Sequence, residues 1–312
     1  MKDRVRQRSP IQSQALSSQN VFVILNPVAG NVNADAVSSY LQQFFISQNW
    51  DFEIYQTSGQ DDVHAIIVEK INAGITLVVA IGGDGTISEV VNGLALSNIP
   101  LAIIPLGTGN IIAHELGIPF DLEEACALIA DHRHKIRHLD LMQVGDRYFI
   151  SHISLGIYSL IIGSIRPEDK RRFGRLVYIW EAIRRLLQRK RWRFNIRIDS
   201  STLSIRASLV LVANAGAVGL SSLRWGEHIS PDDQHLALCI IKGETLSDYL
   251  RLLWNMARNR HYTDKNITYF NAKQHISIET KQDLPVRADG EIIGESRVSI
   301  QLVPTAINII TR

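Results

Sequence analysis

Between Val21 and Leu116, short apolar runs alternate with segments of helical spacing, and this alternation leaves few ways to fold. Val21–Leu25 is apolar and ends in Asn26-Pro27. Ala34–Gln48 carries Val37, Tyr40, Leu41, Phe44 and Phe45 at helical intervals. Trp50–Gln56 reads as a strand, and Val63–Asn72 sets Ile66, Ile67 and Ile71 on one side of a helix. Ile75–Ile81 and Leu101–Ile104 are uninterrupted apolar strands, each followed by a helical segment, Ile87–Leu96 and Ile111–Leu116. Strands apolar on both faces and separated by helices pack as a parallel sheet covered on both sides. Ligands of such sheets bind beyond the carboxyl ends of the strands. The unusual loops of this chain fall there: Asn26–Gly30, Thr57–Gly59, Gly82–Thr86 and Gly107–Asn110.

These loops have the chemistry of phosphate binding. In Gly82-Gly83-Asp84-Gly85-Thr86, three glycines in four positions let the backbone turn sharply and approach a ligand closely. Thr86-x-x-Glu89 has the form of a capping box, which predicts a helix start at that point, with free amides and the positive end of its dipole facing the loop. Pro105-Leu106-Gly107-Thr108-Gly109-Asn110 repeats the logic: Thr108 can donate to a phosphate oxygen, and the amides of Gly109 and Asn110 can form an anion-binding nest. Asn26-Pro27-Val28-Ala29-Gly30 adds a third wall. A Gly-x4-Gly-Lys-Ser/Thr loop is absent, and Gly107-Thr108-Gly109 does not complete a Gly-x-Gly-x-x-Gly fingerprint. Asp84 is the first candidate for a magnesium ion or its waters, because magnesium takes one or two carboxylates together with phosphates. Asp140, after a short strand, could join it.

After Asp140 the texture becomes β-rich. Runs at Tyr148–Ser154, Phe194–Ile198, Leu203–Ala213, Leu236–Ile241, His275–Glu279, Leu284–Ala288, Val298–Val303 and Ala306–Ile310 predict an all-β sandwich. A long helix at Phe173–Gln188 and a shorter one at Leu246–Asn259 interrupt it. The 312 residues accommodate two domains of ordinary size. The expected organisation is a disordered basic lead-in over 1–20, an α/β domain over 21–140 and a β-sandwich over 141–302, with 303–312 available to complete the first domain. A net charge of +2 gives no global nucleic-acid footprint. Cys126 and Cys239 both sit in apolar runs and read as buried thiols of a reducing, cytoplasmic compartment. The uncharged stretch Ile153–Ile165, 13 residues, is too short to span a bilayer.

Taken in order, Asn26-Pro-x-x-Gly30, Gly82-Gly-Asp-Gly-Thr86 and Pro105-Leu-Gly-Thr-Gly-Asn110 resemble the diacylglycerol kinase catalytic-domain family, which includes bacterial soluble lipid kinases and sphingosine kinases. The resemblance extends to Arg137-His-Leu-Asp-Leu141 and Ala288-Asp-Gly-Glu291 and covers 21–312. It implies an α/β domain that binds ATP, a β-sandwich after it, and an active cleft between them. By matching position it implies ATP contacts from Asn26, Pro27, Gly30, Thr57, Gly82, Gly83, Asp84, Gly85, Thr86, Ile87, Ser88, Gly107, Thr108, Gly109 and Asn110. Asp289-Gly290-Glu291 is a hairpin turn by its residues; the resemblance implies that it faces the γ-phosphate, with Glu291 as proton acceptor and Asp289 orienting it or exchanging roles.

Two departures from the family stand out. Ile111 replaces an aspartate that many bacterial members have, although sphingosine-kinase-like members also lack it. Gln234 replaces a glycine in a stretch that holds a structural Mg²⁺ in some members, where Ser230, Asp233 and the carbonyl of His235 would be the ligands. An ordinary polar turn reads equally well there. The expected activity is ATP- and Mg²⁺-dependent phosphorylation of diacylglycerol or a related long-chain lipid; the alternatives are an NAD kinase-like enzyme and a non-catalytic nucleotide sensor. The expected partner is a lipid at a membrane surface and not nucleic acid. Arg166–Arg193, with eleven Lys/Arg against three Asp/Glu, would make the peripheral contact. A monomer and a homodimer are both compatible with the sequence.

Overall fold

The computed structural model describes residues 19–30, 33–164, 190–219, 223–226, 228–258, 260–261 and 264–312, with 184 and 188. The expected lead-in lies outside these residues up to 18, and the helix expected at Phe173–Gln188 lies outside them apart from Arg184 and Gln188.

The first part of the chain runs β1 (Asn20–Leu25), α1 (Ala34–Ser47), β2 (Asp51–Gln56), α2 (Val63–Asn72), β3 (Leu77–Gly82), α3 (Asp84–Leu94), β4 (Pro100–Pro105), α4 (Ile111–Leu116) and α5 (Leu122–Ala130). The strands lie in the order β2-β1-β3-β4, all parallel. β3 is buried at every position because helices cover both faces. Val37, Leu41 and Phe45 of α1 pack on Val21, Val23, Val79 and Ile81. On the opposite face, Ile67 of α2 and Ile87, Val90 and Leu94 of α3 pack on Phe22, Ile24, Val78 and Ala80. The sequence reading had no helix at α5, whose first turn is capped by the Asp121 carboxylate accepting from the amides of Glu123 and Glu124.

The second part runs β5 (Lys135–Val144), β6 (Arg147–Phe149), β7 (His152–Gly156), α6 (Ile157–Ser164), β8 (Trp192–Ile198), β9 (Ser201–Ala207), β10 (Leu209–Ala213), β11 (Leu236–Ile241), α7 (Leu246–Ala257), β12 (Ile267–Ala272), β13 (His275–Thr280), β14 (Pro285–Ala288), β15 (Glu291–Glu295) and β16 (Arg297–Thr311). One sheet has the order β12-β11-β10-β7-β14-β15. It packs on β13, β8 and the first half of β16, with Ile153, Leu155, Val210 and Val212 meeting Phe194, Ile196, Ile276 and Ile300 between the layers. The run Leu203–Ala213, expected as one strand, is two. β9 and β10 belong to different sheets, and the chain changes sheet at Ser208, whose amide and hydroxyl both donate to the Ile241 carbonyl.

The two parts share a sheet. The runs expected as separate strands at Val298–Val303 and Ala306–Ile310 form the single strand β16, which pairs with β13 at Arg297–Gln301 and with β4 at Asn308–Ile309. β5 pairs with β16 on both sides of Asp140, with a register shift between Val303 and Ile307. At that shift Thr305 has φ +50° and its amide donates to Asp140 Oδ1 at 2.9 Å. Asp140 is fully buried, and its Oδ2 accepts from the Gln234 amide at 2.7 Å. Replacing Asp140 with Ala leaves both amides without an acceptor. We expect a loss of about 3 kcal/mol in unfolding free energy, measured by denaturant titration.

Candidate active site

Three loops meet at the carboxyl ends of β1, β3 and β4. The Asn26 amide donates to Ile81 O at 3.0 Å, its Oδ1 accepts from the Val28 amide at 3.1 Å, and its Nδ2 donates to Thr86 Oγ1 at 3.0 Å, so the first loop is fastened to the second. Pro27 follows, and Gly30 closes the turn at φ +66°. The Thr57 amide donates to Leu25 O at 2.9 Å, which sets Thr57 beside them. The second and third loops touch back to back: a Cβ on Gly107 would lie 2.5 Å from Gly83 Cα. Asn110, at φ +48°, closes the third loop on itself, its Oδ1 accepting from the Gly107 amide and its Nδ2 donating to the Gly107 carbonyl. Thr108 is exposed at the tip of that loop.

The capping box expected from Thr86 and Glu89 is not formed. α3 begins two residues earlier than Thr86, with Gly83 as its cap and no side chain on its first-turn amides. Thr86 is turned to Asn26, and those amides stay available to an anion. Asp84 Oδ1 accepts from the Ile111 amide at 2.5 Å, and a Cβ on Gly109 would meet Asp84 Oδ2 at 2.5 Å. Burial holds the Asp84 carboxyl above the usual range, the Ile111 and Asn110 amides oppose this, and the charge of Asp289 adds to it. A cation beside this carboxylate would favour the ionised form that burial and the Asp289 charge disfavour.

Asp289 and Gly290 form the expected hairpin turn between β14 and β15, both with positive φ (+47° and +92°), as a type I′ turn requires. The Asp289 carboxylate is buried. It accepts from the amides of Ile150 (2.9 Å), Ser151 (3.0 Å) and His152 (3.1 Å), and from the hydroxyls of Ser151 and, at 3.1 Å, Ser88. The Ser88 bond is made across the cleft, from α3 to the hairpin. Burial lowers the His152 pKa against the pull of the Asp289 charge. Buried Arg287 donates from Nε to Ser159 O at 3.0 Å and from Nη1 to Gly290 O at 2.6 Å, holding the turn against α6. Glu291 is half-exposed and pairs through Oε2 with Arg147 Nη2 at 2.8 Å.

The expectation that Asp140 joins Asp84 at a catalytic metal needs correction. Its carboxylate faces the 230–235 turn and the β16 irregularity, and both oxygens carry amides. In that turn Asp233 Oδ1 accepts from the His235 amide at 2.8 Å, Oδ2 accepts from the Ser230 amide at 3.3 Å, and His235 Nδ1 donates to the Asp233 carbonyl at 2.6 Å. Ser230 Oγ donates to Asp232 Oδ1 at 2.5 Å. The Ser230 hydroxyl and the Asp233 carboxylate are thus engaged within a polar turn. Gln234 sits at φ +58°, the conformation that the glycine it replaces would favour, so the turn survives the substitution. Among the described residues no group of three or more His, Cys, Asp or Glu gathers around a metal-sized space.

Sequence reasoning missed two members of the cleft. Glu89, read there as half of a capping box, is exposed on α3. Partial desolvation of its carboxyl and the charge of Glu291 raise its pKa, and Arg147 opposes them. Arg147, on β6, had no motif to mark it. Its neighbour Tyr148 donates from its amide to Asn92 Oδ1 at 2.8 Å, which fixes β6 against α3. Both cysteines are buried as expected, and burial pushes the Cys126 thiol up to about 12.

The sequence model described as diacylglycerol kinase catalytic domain matches residues 20–144, and the one described as YegS C-terminal NAD kinase beta sandwich-like domain matches 152–311. The chain belongs to the diacylglycerol kinase catalytic-domain family. It is 28% identical over 279 residues to the diacylglycerol kinase of Bacillus subtilis, covering 87% of this chain and 89% of that one. It is 27% identical over 301 residues to the Synechocystis protein sll0036, covering 92% of this chain and 69% of the other. A crystal structure of a diacylglycerol kinase from Bacillus anthracis superimposes with a TM-score of 0.75 over 96% of this chain and 99% of that one, at 24% identity, and so shares the fold. The family is one of lipid kinases, and this member keeps its glycine loops in contact.

Two outcomes test the site. Gly107→Ala forces Gly83 away, and nucleotide affinity by calorimetry should fall at least about tenfold. Glu89, with its folded-state pKa raised, destabilises the fold increasingly as pH rises from the ordinary glutamate range through that raised value. Glu89→Gln should therefore melt above the parent chain at pH 7, with the gap closing as pH falls to about 4.

Proposed function

We propose that this chain transfers the γ-phosphate of ATP to a hydroxyl of diacylglycerol or a related long-chain lipid. The hydrogen bond from Ser88 to Asp289 carries the reading, because it sets the acidic hairpin against the loop whose helix start is free for phosphate. In the reading, the first-turn amides of α3, the Thr108 hydroxyl and the loop from Asn26 to Gly30 hold the phosphates, with Thr57 beside them. Mg²⁺ would supply charge neutralisation on the β- and γ-phosphates, and Asp84 is the carboxylate suited to hold it or its waters.

Glu291 is the acceptor of the lipid hydroxyl proton. Its Oε2 is turned to Arg147, and no hydrogen bond is described at its Oε1. Asp289 has both oxygens engaged and acts as the clamp that holds Ile150–His152 and Ser88 around the turn. Phosphoryl transfer asks mainly for positioning and charge stabilisation, and the hairpin contributes the first directly.

The test is transfer of labelled γ-phosphate from Mg·ATP to a panel of diacylglycerol, monoacylglycerol, sphingosine and NAD. We expect label on a lipid. Label on NAD would favour the NAD kinase-like reading, and nucleotide binding without turnover the sensor reading. Glu291→Ala should lower kcat about 100-fold or more with little change in the KM for ATP. If Glu291→Ala kept full activity while Asp289→Asn lost it, proton acceptance would pass to Asp289.

A further inference from the structure

α4 carries a carboxylate that the reaction itself does not use. Glu115 lies one turn after Ile111, and its side chain is only 5% exposed. Its Oε1 accepts from Arg224 Nη2 at 2.8 Å, and its Oε2 accepts from the Ala217 amide at 2.7 Å. Both donors come from the second part of the chain, between β10 and β11. The same Nη2 of Arg224 donates to the Ile229 carbonyl at 2.9 Å. The guanidinium lies over Gly216, where a Cβ would collide with it. A bridge between Ala217 and Arg224, with the Trp225 amide donating to Gly216 O at 2.7 Å, keeps the two donors side by side. A buried carboxylate held by a guanidinium and an amide is costly to leave half-paired, so this contact is specific in its geometry.

The stretch that supplies these donors touches both sides of the cleft. At its start, the amides of Asn214 and Ala215 donate to Ser151 O at 2.9 and 3.1 Å, and Asn214 Nδ2 donates to Ile150 O at 2.9 Å. Ile150 and Ser151 are the residues whose own amides the Asp289 carboxylate accepts. Ala215 is buried in the same apolar cluster as Ile112 and Leu116 of α4. Gly219, at φ +74°, rests on the third glycine loop: a Cβ there would lie 3.0 Å from Ile111 Cγ1 and 3.1 Å from Gly109 O. The path from the acidic hairpin to the third loop is therefore continuous, through Ile150–Ser151, Asn214–Ala217 and Glu115.

We propose that Glu115 and Arg224 are positioning residues for phosphoryl transfer: their pair fixes the third glycine loop against the Ile150–Ser151 seat of the Asp289–Glu291 hairpin. This rests on the lipid-kinase reading for what the alignment serves. The third loop has fastenings of its own within the α/β part, from Asn110 to Gly107 and from the Ile111 amide to Asp84. The pair is therefore not needed to shape the nucleotide loops, and its loss acts on the alignment across the cleft. The bond from Ser88 to Asp289 spans the same cleft from α3. The hairpin is thus tied to two neighbouring glycine loops, directly to the second and through Arg224 and Glu115 to the third. Transfer between groups held on opposite walls is sensitive to such alignment, because a misplacement of about 1 Å can cost about 100-fold in rate.

The experiment compares the full parent chain with Arg224→Met, which keeps the stem and removes the guanidinium, and with Arg224→Lys, which keeps a charge. Arg224→Met should lower kcat for lipid phosphorylation about tenfold and leave the Kd for ATP within about twofold of the parent. Arg224→Lys should recover most of that loss, and Glu115→Gln, which keeps one acceptor and loses the charge, should show the same split as Arg224→Met. A second readout needs no turnover. Spin labels on Phe120→Cys and Ile292→Cys, exposed positions after α4 and on β15, report the distance across the cleft by electron–electron double resonance, since both native thiols are buried. The parent should give one narrow distribution, Arg224→Met a broader or displaced one, and Arg224→Lys the parent's again. An unchanged distribution in Arg224→Met overturns the proposal whatever the substrate. So does a loss of ATP affinity as large as the loss of kcat, or a lowered melting temperature with kcat unchanged, the mark of a purely structural pair. Absence of lipid phosphorylation by the parent sinks the lipid-kinase reading alone, and the distances then decide the alignment.

Discussion

The hydrogen bonds between β5 and β16 hold this molecule together. Each strand serves both parts of the chain, so a nucleotide-type parallel sheet and a β-sandwich become one continuous surface of backbone pairing. The register shift between Val303 and Ile307 is where the geometry of one part gives way to that of the other, and the buried Asp140 carboxylate accepts the Thr305 amide there. The same carboxylate holds the turn after Pro231. With the sandwich fixed in this way, the β14–β15 hairpin has one place to stand, opposite α3.

The cleft that results is held by carboxylates with different duties. Asp140 carries the amides of Thr305 and Gln234, and Asp289 carries those of Ile150, Ser151 and His152. Asp84 accepts the Ile111 amide through Oδ1 and lies against the Asn110 amide, and Glu291 makes one ion pair through Oε2. Buried carboxylates with full sets of donors define shape, and the Asp140 and Asp289 carboxylates do so here. Glu89, Glu291 and Arg147 bring the two sides of the cleft into electrostatic contact at its mouth.

Much of this was legible in the residues. The alternation of β1, β3 and β4 with helices required a covered parallel sheet, and the glycines at their exits had to lie at one edge of it. Asp289-Gly290 declared its own turn. What the residues misjudged were features that depend on distant partners. Thr86 and Glu89 have the spacing of a capping box, yet Thr86 bonds Asn26 sixty residues away and leaves Glu89 to the cleft. Val298–Val303 and Ala306–Ile310 read as two strands because the apolar pattern breaks at Pro304-Thr305, and only pairing with β5 keeps them one. Asp140 read as a metal candidate because a lone aspartate carries no sign of the amides that will reach it.

Local periodicity and glycine spacing by themselves determined the alternating architecture of residues 20–116 and the β-rich class of the remainder, because these follow from which side chains can be buried and which backbones can turn; the family came from the resemblance of the ordered motifs. Tertiary structure alone decided which carboxylates gather backbone amides and the union of both parts through β16. Those depend on hydrogen-bond donors and packing surfaces that come from far along the chain, and no window of neighbouring residues contains them.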